Sequence, residues 1–419
     1  MRIHRPGSVR RPVAVTAAAL TALTLAACGS SPAASTGAAT SAATSAAESS
    51  GGAGSTGSST PAVDGQVTVT VSDADGCTAS PDTVPAGPVT FTVTNLDAVG
   101  VTEVELVSDQ RIVGERENLA PGFDSTFSAR LDGGSYEIYC PGGSTERRAF
   151  TVTGGQAQEQ GGDVGALLTQ ATVDYATYVD DQIEFLLPPV QELADAIRAG
   201  DLAAAQQAYA KARPFYERIE PVAESFPDLD PAIDLREGDV EAGTPWTGFH
   251  PIEKALFVDR TTDGLTELAD QLVADCAELQ SKAAELSAAT TAGSGGYQAF
   301  EIANGASGLL DEVLASKITG EEEAYSRIDL LDFEANVEGS LQAFATLKPA
   351  LDVIDPTLVP QISSQFDALT TTLSAYRDPA ALGGWRPYDQ LTTEDKKTLT
   401  DALLAVQEPL SAISAKITT

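Results

Sequence analysis

The stretch Thr247-Gly248-Phe249-His250-Pro251-Ile252-Glu253-Lys254-Ala255-Leu256-Phe257 decides how the chain is read. The only other histidine, His4, lies in an N-terminal segment that has the marks of a leader. His250 and Glu253 are three residues apart, so on a helix they share a face. An imidazole and a carboxylate on one face form the smallest unit that grips a metal ion. Pro251 is compatible with a helix starting here, because a first-turn N–H has no intrahelical partner to lose. Upstream, Tyr216-Glu217-Arg218-Ile219-Glu220-Pro221 repeats the same spacing with Glu217 and Glu220. Two facing helices with two inward ligands each assemble three carboxylates and one imidazole, a set suited to iron or another first-row cation. Taken alone, Glu217 and Glu220 read more simply as an exposed acidic helix face.

The surrounding period is helical from residue 164 to the C-terminus. Tyr175, Tyr178, Leu186, Val190, Leu193 and Ile197 form one stripe, with a bend expected at Pro188-Pro189. Gly200 stops that helix, and Asp201 caps the next, expected from Leu202 to about Phe226 with an irregularity at Pro214. Further helices are expected at about 262–288, 298–317, 327–352, 356–377 and 393–417, an all-α bundle over residues 164–419. Cys276 falls on an apolar stripe and reads as a core thiol.

Residues 65–153 change to the period of strands. Val67, Val69 and Val71 alternate with polar residues, as do Val89, Phe91 and Val93, and later Tyr136, Ile138 and Cys140. Short strands separated by turn residues predict a β-sandwich. Glu103 with Glu105, and Glu115 with Glu117, are two apart, so each pair shares a strand face. Either they form a second site for a hard cation, or they line a solvated face. Cys77 and Cys140 fall in the same region, and a disulfide between them is the first expectation. A thiolate metal site is the alternative. Residues 154–163, rich in Gly and Gln, read as a linker to the helices.

The 419 residues suffice for two or three domains. Asp and Glu number 60 against 25 Lys and Arg, a formal charge of −35. That excludes nucleic acid as a partner, since phosphate is held through Lys and Arg. It suits cations, a basic partner or simple solubility. Residues 1–27 combine Arg2, Arg5, Arg10 and Arg11 with an apolar run too short to span a bilayer, and end Leu25-Ala26-Ala27-Cys28. This resembles a lipoprotein signal, which implies lipidation of Cys28 and anchoring to the cell membrane. Residues 28–64 are Ala, Ser, Gly and Thr with little apolar bulk, and are expected to be a disordered tether.

The run Gly134-Ser135-Tyr136-Glu137-Ile138-Tyr139-Cys140-Pro141-Gly142 resembles the end of cupredoxins. A blue-copper site needs two histidines and usually a methionine beside its cysteine. Beyond residue 27 the chain has one histidine and no methionine, so the usual electron-transfer copper has no ligands here.

From about residue 65 onward the chain resembles the EfeM/EfeO family of iron-uptake components. The resemblance rests on Glu115 to Phe123, Tyr216 to Pro221, Asp228 to Glu237, Thr247 to Phe257, Ser316 to Glu322 and Asp329 to Ser340. The helical half is similar to imelysin-like peptidase domains through G-x-H-x-x-E, here Gly248, His250 and Glu253. The resemblance implies a cupredoxin-like β-sandwich followed by an imelysin-like bundle. It implies a non-enzymatic, extracytoplasmic protein that captures iron, Fe2+ or Fe3+, through Glu217, Glu220, His250 and Glu253, with a second metal ion near the sheet. It further implies Asp329, Asp332 and Asn336 as supports behind the ligands. As partners it implies a membrane iron permease and a haem-dependent dye-decolourising-type peroxidase. A metal-dependent peptidase is the alternative activity. The H-e-x-x-h pattern of zinc peptidases is missing, which counts against it.

Overall fold

Strand β1 (Gln66–Ser72) buries Val67, Val69 and Val71 and turns the residues between them outward. The same alternation runs through β4 (Gly87–Asn95), where Val89, Phe91 and Val93 are buried. The computed structural model describes residues 65–108, 111–157, 161–240 and 243–418. The expected leader, Cys28 and the tether lie outside these. The described residues belong to one compact unit, Ser59–Thr419.

The remaining strands are β2 (Gly76–Ser80), β3 (Thr83–Pro85), β5 (Val104–Ser108), β6 (Arg111–Arg116), β7 (Asp124–Leu131), β8 (Gly134–Tyr139) and β9 (Arg147–Thr153). They form two sheets, ordered β2-β1-β4-β7 and β3-β9-β8-β5-β6. Both contain a parallel pair, β1 with β4 and β3 with β9. The sheets meet through their apolar faces. Phe91 of the first stacks on Phe127 and sets its edge on Phe150 of the second, with ring centroids 5.5 Å apart in the second pair. A disulfide joins Cys77 on β2 to Cys140 just after β8, so neither sulfur is a free thiolate here. Cys276 is a buried free thiol.

The helices are α1 (Gly162–Ala199), α2 (Leu202–Glu217), α3 (Asp230–Asp234), α4 (Phe249–Lys254), α5 (Thr266–Ala292), α6 (Ala299–Ala315), α7 (Asp329–Ile354), α8 (Leu358–Ser374), α9 (Thr393–Leu410) and α10 (Ile413–Thr418). Helix α1 is continuous through Pro188 and Pro189. It ends at Gly200, whose left-handed φ of 71° closes the cap. The Asp201 side chain accepts from Ala204 N–H and opens α2. Helix α1 packs on α2 and α5, α6 on α7, and α8 on α9.

Helix α2 is shorter than its pattern predicts. It ends at Glu217, and a 3₁₀ turn over Glu220–Ser225 follows, with Val222 outside helical geometry. The physical cause is Pro221, which lacks an N–H and disfavours helical backbone in the residue before it. Helix α6 crosses this turn at Gly305, where an added Cβ would lie 1.7 Å from the Pro221 carbonyl oxygen.

Strands β6 and β7 lean on α6, and β4 and β7 lean on α10. Arg116 pairs with Asp311 at 2.8 Å, and Asn304 Nδ2 donates to Ser128 O at 2.8 Å. These contacts fix the β-rich part against the helices and leave a cleft beside them. Opening the Cys77–Cys140 disulfide frees a loop 63 residues apart in sequence, which should cost roughly 2–5 kcal/mol of stability. Urea unfolding of the Cys77→Ala/Cys140→Ala variant checks this, and an unchanged midpoint would contradict it.

Candidate metal centre

The site is assembled on the guanidinium of Arg213, which is fully buried. Arg213 lies one helical turn before Glu217 on α2 and bonds its carboxylate. It also bonds Asp234 at the end of α3, Glu322 Oε1 at 3.0 Å, Glu323 Oε1 at 3.0 Å and Asp332 Oδ2 at 3.2 Å. One planar cation thus draws four segments together: α2, α3, the turn before α7, and α7 itself.

Helix α4 delivers the histidine. Its N-cap Gly248 has φ of +87°, and a Cβ there would stand 2.1 Å from the Ile233 carbonyl oxygen. Only glycine lets α4 start against α3, and that approach sets His250 beside Asp234. His250 is the second residue of α4 and 2% exposed. Its Nε2 lies 3.3 Å from Asp234 Oδ1 and 3.6 Å from Glu322 Oε1, with no hydrogen bond made. Its Nδ1 lies 3.4 Å from Glu253 Oε2.

Glu253 stands on the Nδ1 side of the imidazole, whereas Asp234 and Glu322 stand near Nε2. Glu253 Oε1 accepts the backbone N–H groups of Tyr325 and Ser326, at 2.8 and 2.6 Å. It therefore orients the imidazole from behind and clamps the turn that carries Glu322 and Glu323. A carboxylate on the far ring nitrogen is how metal-binding histidines are commonly held.

Glu217 and Glu220 converge although they are not on one helix. The break between α2 and the 3₁₀ turn brings both carboxylates to the ammonium of Lys317, at 3.1 and 2.8 Å. Asn336 Nδ2 donates to both, reaching Glu217 Oε2 at 2.8 Å. Among the described residues, two groups have ligand atoms within 4.8 Å of one another: Asp234, His250 and Glu322, and Glu217, Glu220, Asp234 and Glu322. Asp234 and Glu322 belong to both. Both lie within the stretches Asp228 to Glu237 and Ser316 to Glu322, where no spacing marks them as ligands. One sits on a five-residue helix and the other in a turn, so neither shows a helical period. Asp332 braces Arg213, and Asp329 Oδ1 accepts from Glu323 N–H at 3.2 Å.

Glu103, Glu105, Glu115 and Glu117 stand across the cleft. Glu105 pairs directly with Glu115 between β5 and β6. Their oxygens form no group as tight as those above. They wall the same cavity of about 1110 Å³ that Glu220, Asp234 and Glu322 wall from the helical side. Burial, then the neighbouring Glu103 carboxylate, raises Glu105 to about 7, while Arg147 opposes. Burial and Glu312 lead the causes that raise Glu117 to about 8. Glu115 and Glu224 are pushed well above the carboxylate range, by burial first and then by like charge. The cleft is an enclosure where carboxyl groups are crowded closely enough to hold their protons more tightly than usual.

The imidazole feels the same field. Burial opposes the charged form, but Asp234, Glu253 and Glu322 outweigh it and hold His250 well above its ordinary value. Glu220 is likewise raised by burial and by Glu217, against the pull of Lys317.

The comparisons follow this geometry. The imelysin family model, Peptidase_M75, matches residues 171–413. The iron uptake system component EfeO of Yersinia pseudotuberculosis serotype I is 39% identical over 351 residues, covering 83% of this chain and 90% of its own. The chain belongs to the EfeO family of iron uptake system components. The EfeO proteins of Escherichia coli O157:H7 and Yersinia pestis are 39% and 38% identical, each covering 83% of this chain and 90% of their own. The stretches Thr247 to Phe257 and Tyr216 to Pro221 bring His250, Glu217 and Glu220 to the cluster, and Asp228 to Glu237 and Ser316 to Glu322 bring Asp234 and Glu322. No described helix is long and apolar enough to cross a membrane.

Two outcomes follow from this geometry. An ion on Nε2 must displace its proton. Calorimetry of Fe(III) citrate in buffers of differing ionisation enthalpy should show at least one proton released near neutral pH, with affinity rising as pH rises. Binding without proton release contradicts the raised imidazole. Glu253→Ala strands the half-buried N–H groups of Tyr325 and Ser326 and should cost about 1–3 kcal/mol in urea unfolding. A neutral effect would contradict the clamp.

Proposed function

We propose that this protein captures iron in the cleft and passes it to a membrane permease. The single observation that carries this is the buried constellation of His250 Nε2, Asp234 and Glu322, continuous with Glu217 and Glu220. Counting Glu323 and Asp332, its carboxylates outnumber Arg213, Lys317 and Arg236, which bonds Glu322 at 3.3 Å, so a multivalent cation relieves repulsion that a neutral or anionic ligand would leave. Oxygen donors with one imidazole suit iron. The relatives are named iron uptake system components, which supports the same reading. Glu253, Asp332 and Asn336 hold the ligands, and Asp329 anchors the Glu323 turn.

In this reading the β-rich part is a cupredoxin-like sandwich whose Glu103, Glu105, Glu115 and Glu117 attract the incoming ion or hold a second one. The protein works outside the cytoplasm, retained at the membrane by lipid on Cys28 after loss of residues 1–27 and spaced from it by residues 28–64. The haem-dependent peroxidase is the second partner, joined to the permease in one uptake system. Ligand exchange, not bond cleavage, is its chemistry.

A peptidase reading has the family name in its favour. Against it, the imidazole's other nitrogen is committed to Glu253, and Glu253 is committed to backbone N–H groups. That leaves no free general base on the G-x-H-x-x-E helix for water activation.

Calorimetric titration of Fe(III) citrate into the wild type and into His250→Ala, Asp234→Asn and Glu322→Gln tests the proposal. Each substitution should weaken the tightest site by at least the roughly 10–100-fold that loss of an outer-shell partner costs. Glu137→Gln, on the sheet, should leave that site unchanged. Unaltered binding in all three variants, or cleavage of casein abolished by His250→Ala, would overturn it.

A further inference from the structure

Lys317 is a buried cation for which iron capture as described has no use. It opens the 3₁₀ turn Lys317–Thr319 after α6 and is 5% exposed. Its Nζ lies 2.8 Å from both Glu220 oxygens, 3.1 Å from Glu217 Oε2 and 3.7 Å from Glu322 Oε2. Those three carboxylates, with Asp234, are the group whose oxygens lie within 4.8 Å of one another. The ammonium therefore stands against three of the four groups that an incoming ion would need.

A second resting place lies beside it. Asp329 is 3% exposed; its Oδ1 accepts from Glu323 N–H, while its Oδ2 has no hydrogen-bond partner. A buried carboxylate oxygen left unpaired is costly, so it marks a place where a donor fits. Lys317, Asp329 and Asp332 line one cavity of about 10 Å³, about the room of one water. Lysine suits such a movement. It is a compact charge on a flexible four-carbon stem, unlike Arg213, whose planar guanidinium is pinned by five carboxylates.

We propose that Lys317 is a displaceable internal cation: it holds Glu217 and Glu220 until a multivalent ion enters, withdraws its ammonium toward Asp329, and returns to expel the ion. The inference rests on the reading that an ion binds at the His250 cluster. It adds a selection rule. An entering ion must compete with a charge of one already in place, so weakly charged cations are rejected and multivalent ones are admitted. It also gives release a cause inside the protein, since the ammonium reoccupies the carboxylates as the ion leaves.

A double-mutant cycle on the full chain tests this, with gallium(III) citrate as a redox-silent probe titrated into wild type, Lys317→Met, Asp329→Asn and the double variant. Asp329→Asn puts an amide nitrogen or a neutral oxygen where the ammonium would rest. It should weaken binding about tenfold when Lys317 is present and by less than about twofold in the Lys317→Met background, a coupling within the range of interacting neighbours. Lys317→Met alone should tighten binding. Equal effects of Asp329→Asn in both backgrounds, or none in either, would overturn the proposal. A second measurement needs only the folded wild type: in protein labelled at lysine Cε and Nζ, the Lys317 resonance, assigned with Lys317→Arg, should shift when gallium binds. A resonance unmoved at saturation would overturn it too. Gallium binding that His250→Ala leaves unchanged would instead defeat the underlying site assignment, and the displacement with it.

Discussion

The buried guanidinium of Arg213 is the constraint on which the site depends. Five carboxylates from four segments meet on it. Desolvating that many charges is tolerable only with close pairing, and removing the shared cation would leave them uncompensated. The cluster is therefore poised. The pinned guanidinium of Arg213 keeps it folded, yet carboxylates remain in excess. Glu220, Glu323 and Asp332 are pushed above their ordinary range, each by burial first. On the proposed reading, a further cation would relieve the repulsion among these carboxylates.

The two parts of the chain supply this unequally. The helical part holds the imidazole and both close-set ligand groups. The β-rich part supplies a wall of glutamates over the cleft, of which Glu105 and Glu115 pair across β5 and β6 while Glu103 and Glu117 lie just outside those strands. Contacts of α6 and α10 with β4, β6 and β7 set the width of that cleft. Helix α6 serves both sides: Gly305 admits the Pro221 turn that carries Glu220, and Asp311 ties down Arg116 on β6.

Much of the fold was legible in the sequence because it rests on local rules. The α1 stripe, the Gly200 cap, the Asp201 cap and the Thr392–Asp395 capping box all stand where their residue types predict. Strands β2 and β3 were not legible: they are short, and Gly76-Cys77-Thr78-Ala79-Ser80 lacks alternation. The site was legible in half. Histidine is scarce enough to single out His250, but Glu217 and Glu220, spaced as if on one helix, converge only because the helix breaks between them. Asp234 and Glu322 were not legible, because close approach at Gly248 and bonding to Arg213 bring them in from segments without a period. Glu253 lies on the predicted face, but the backbone N–H groups of a distant turn claim it, which no local pattern reveals.

The central claim is that one ion sits among His250 Nε2, Asp234 and Glu322. Anomalous diffraction at the iron edge, from crystals soaked in Fe(III) citrate, measures this most directly. The account predicts a peak within bonding distance of those three side chains. A peak confined to the wall of Glu103, Glu105, Glu115 and Glu117, with none beside His250, would contradict it.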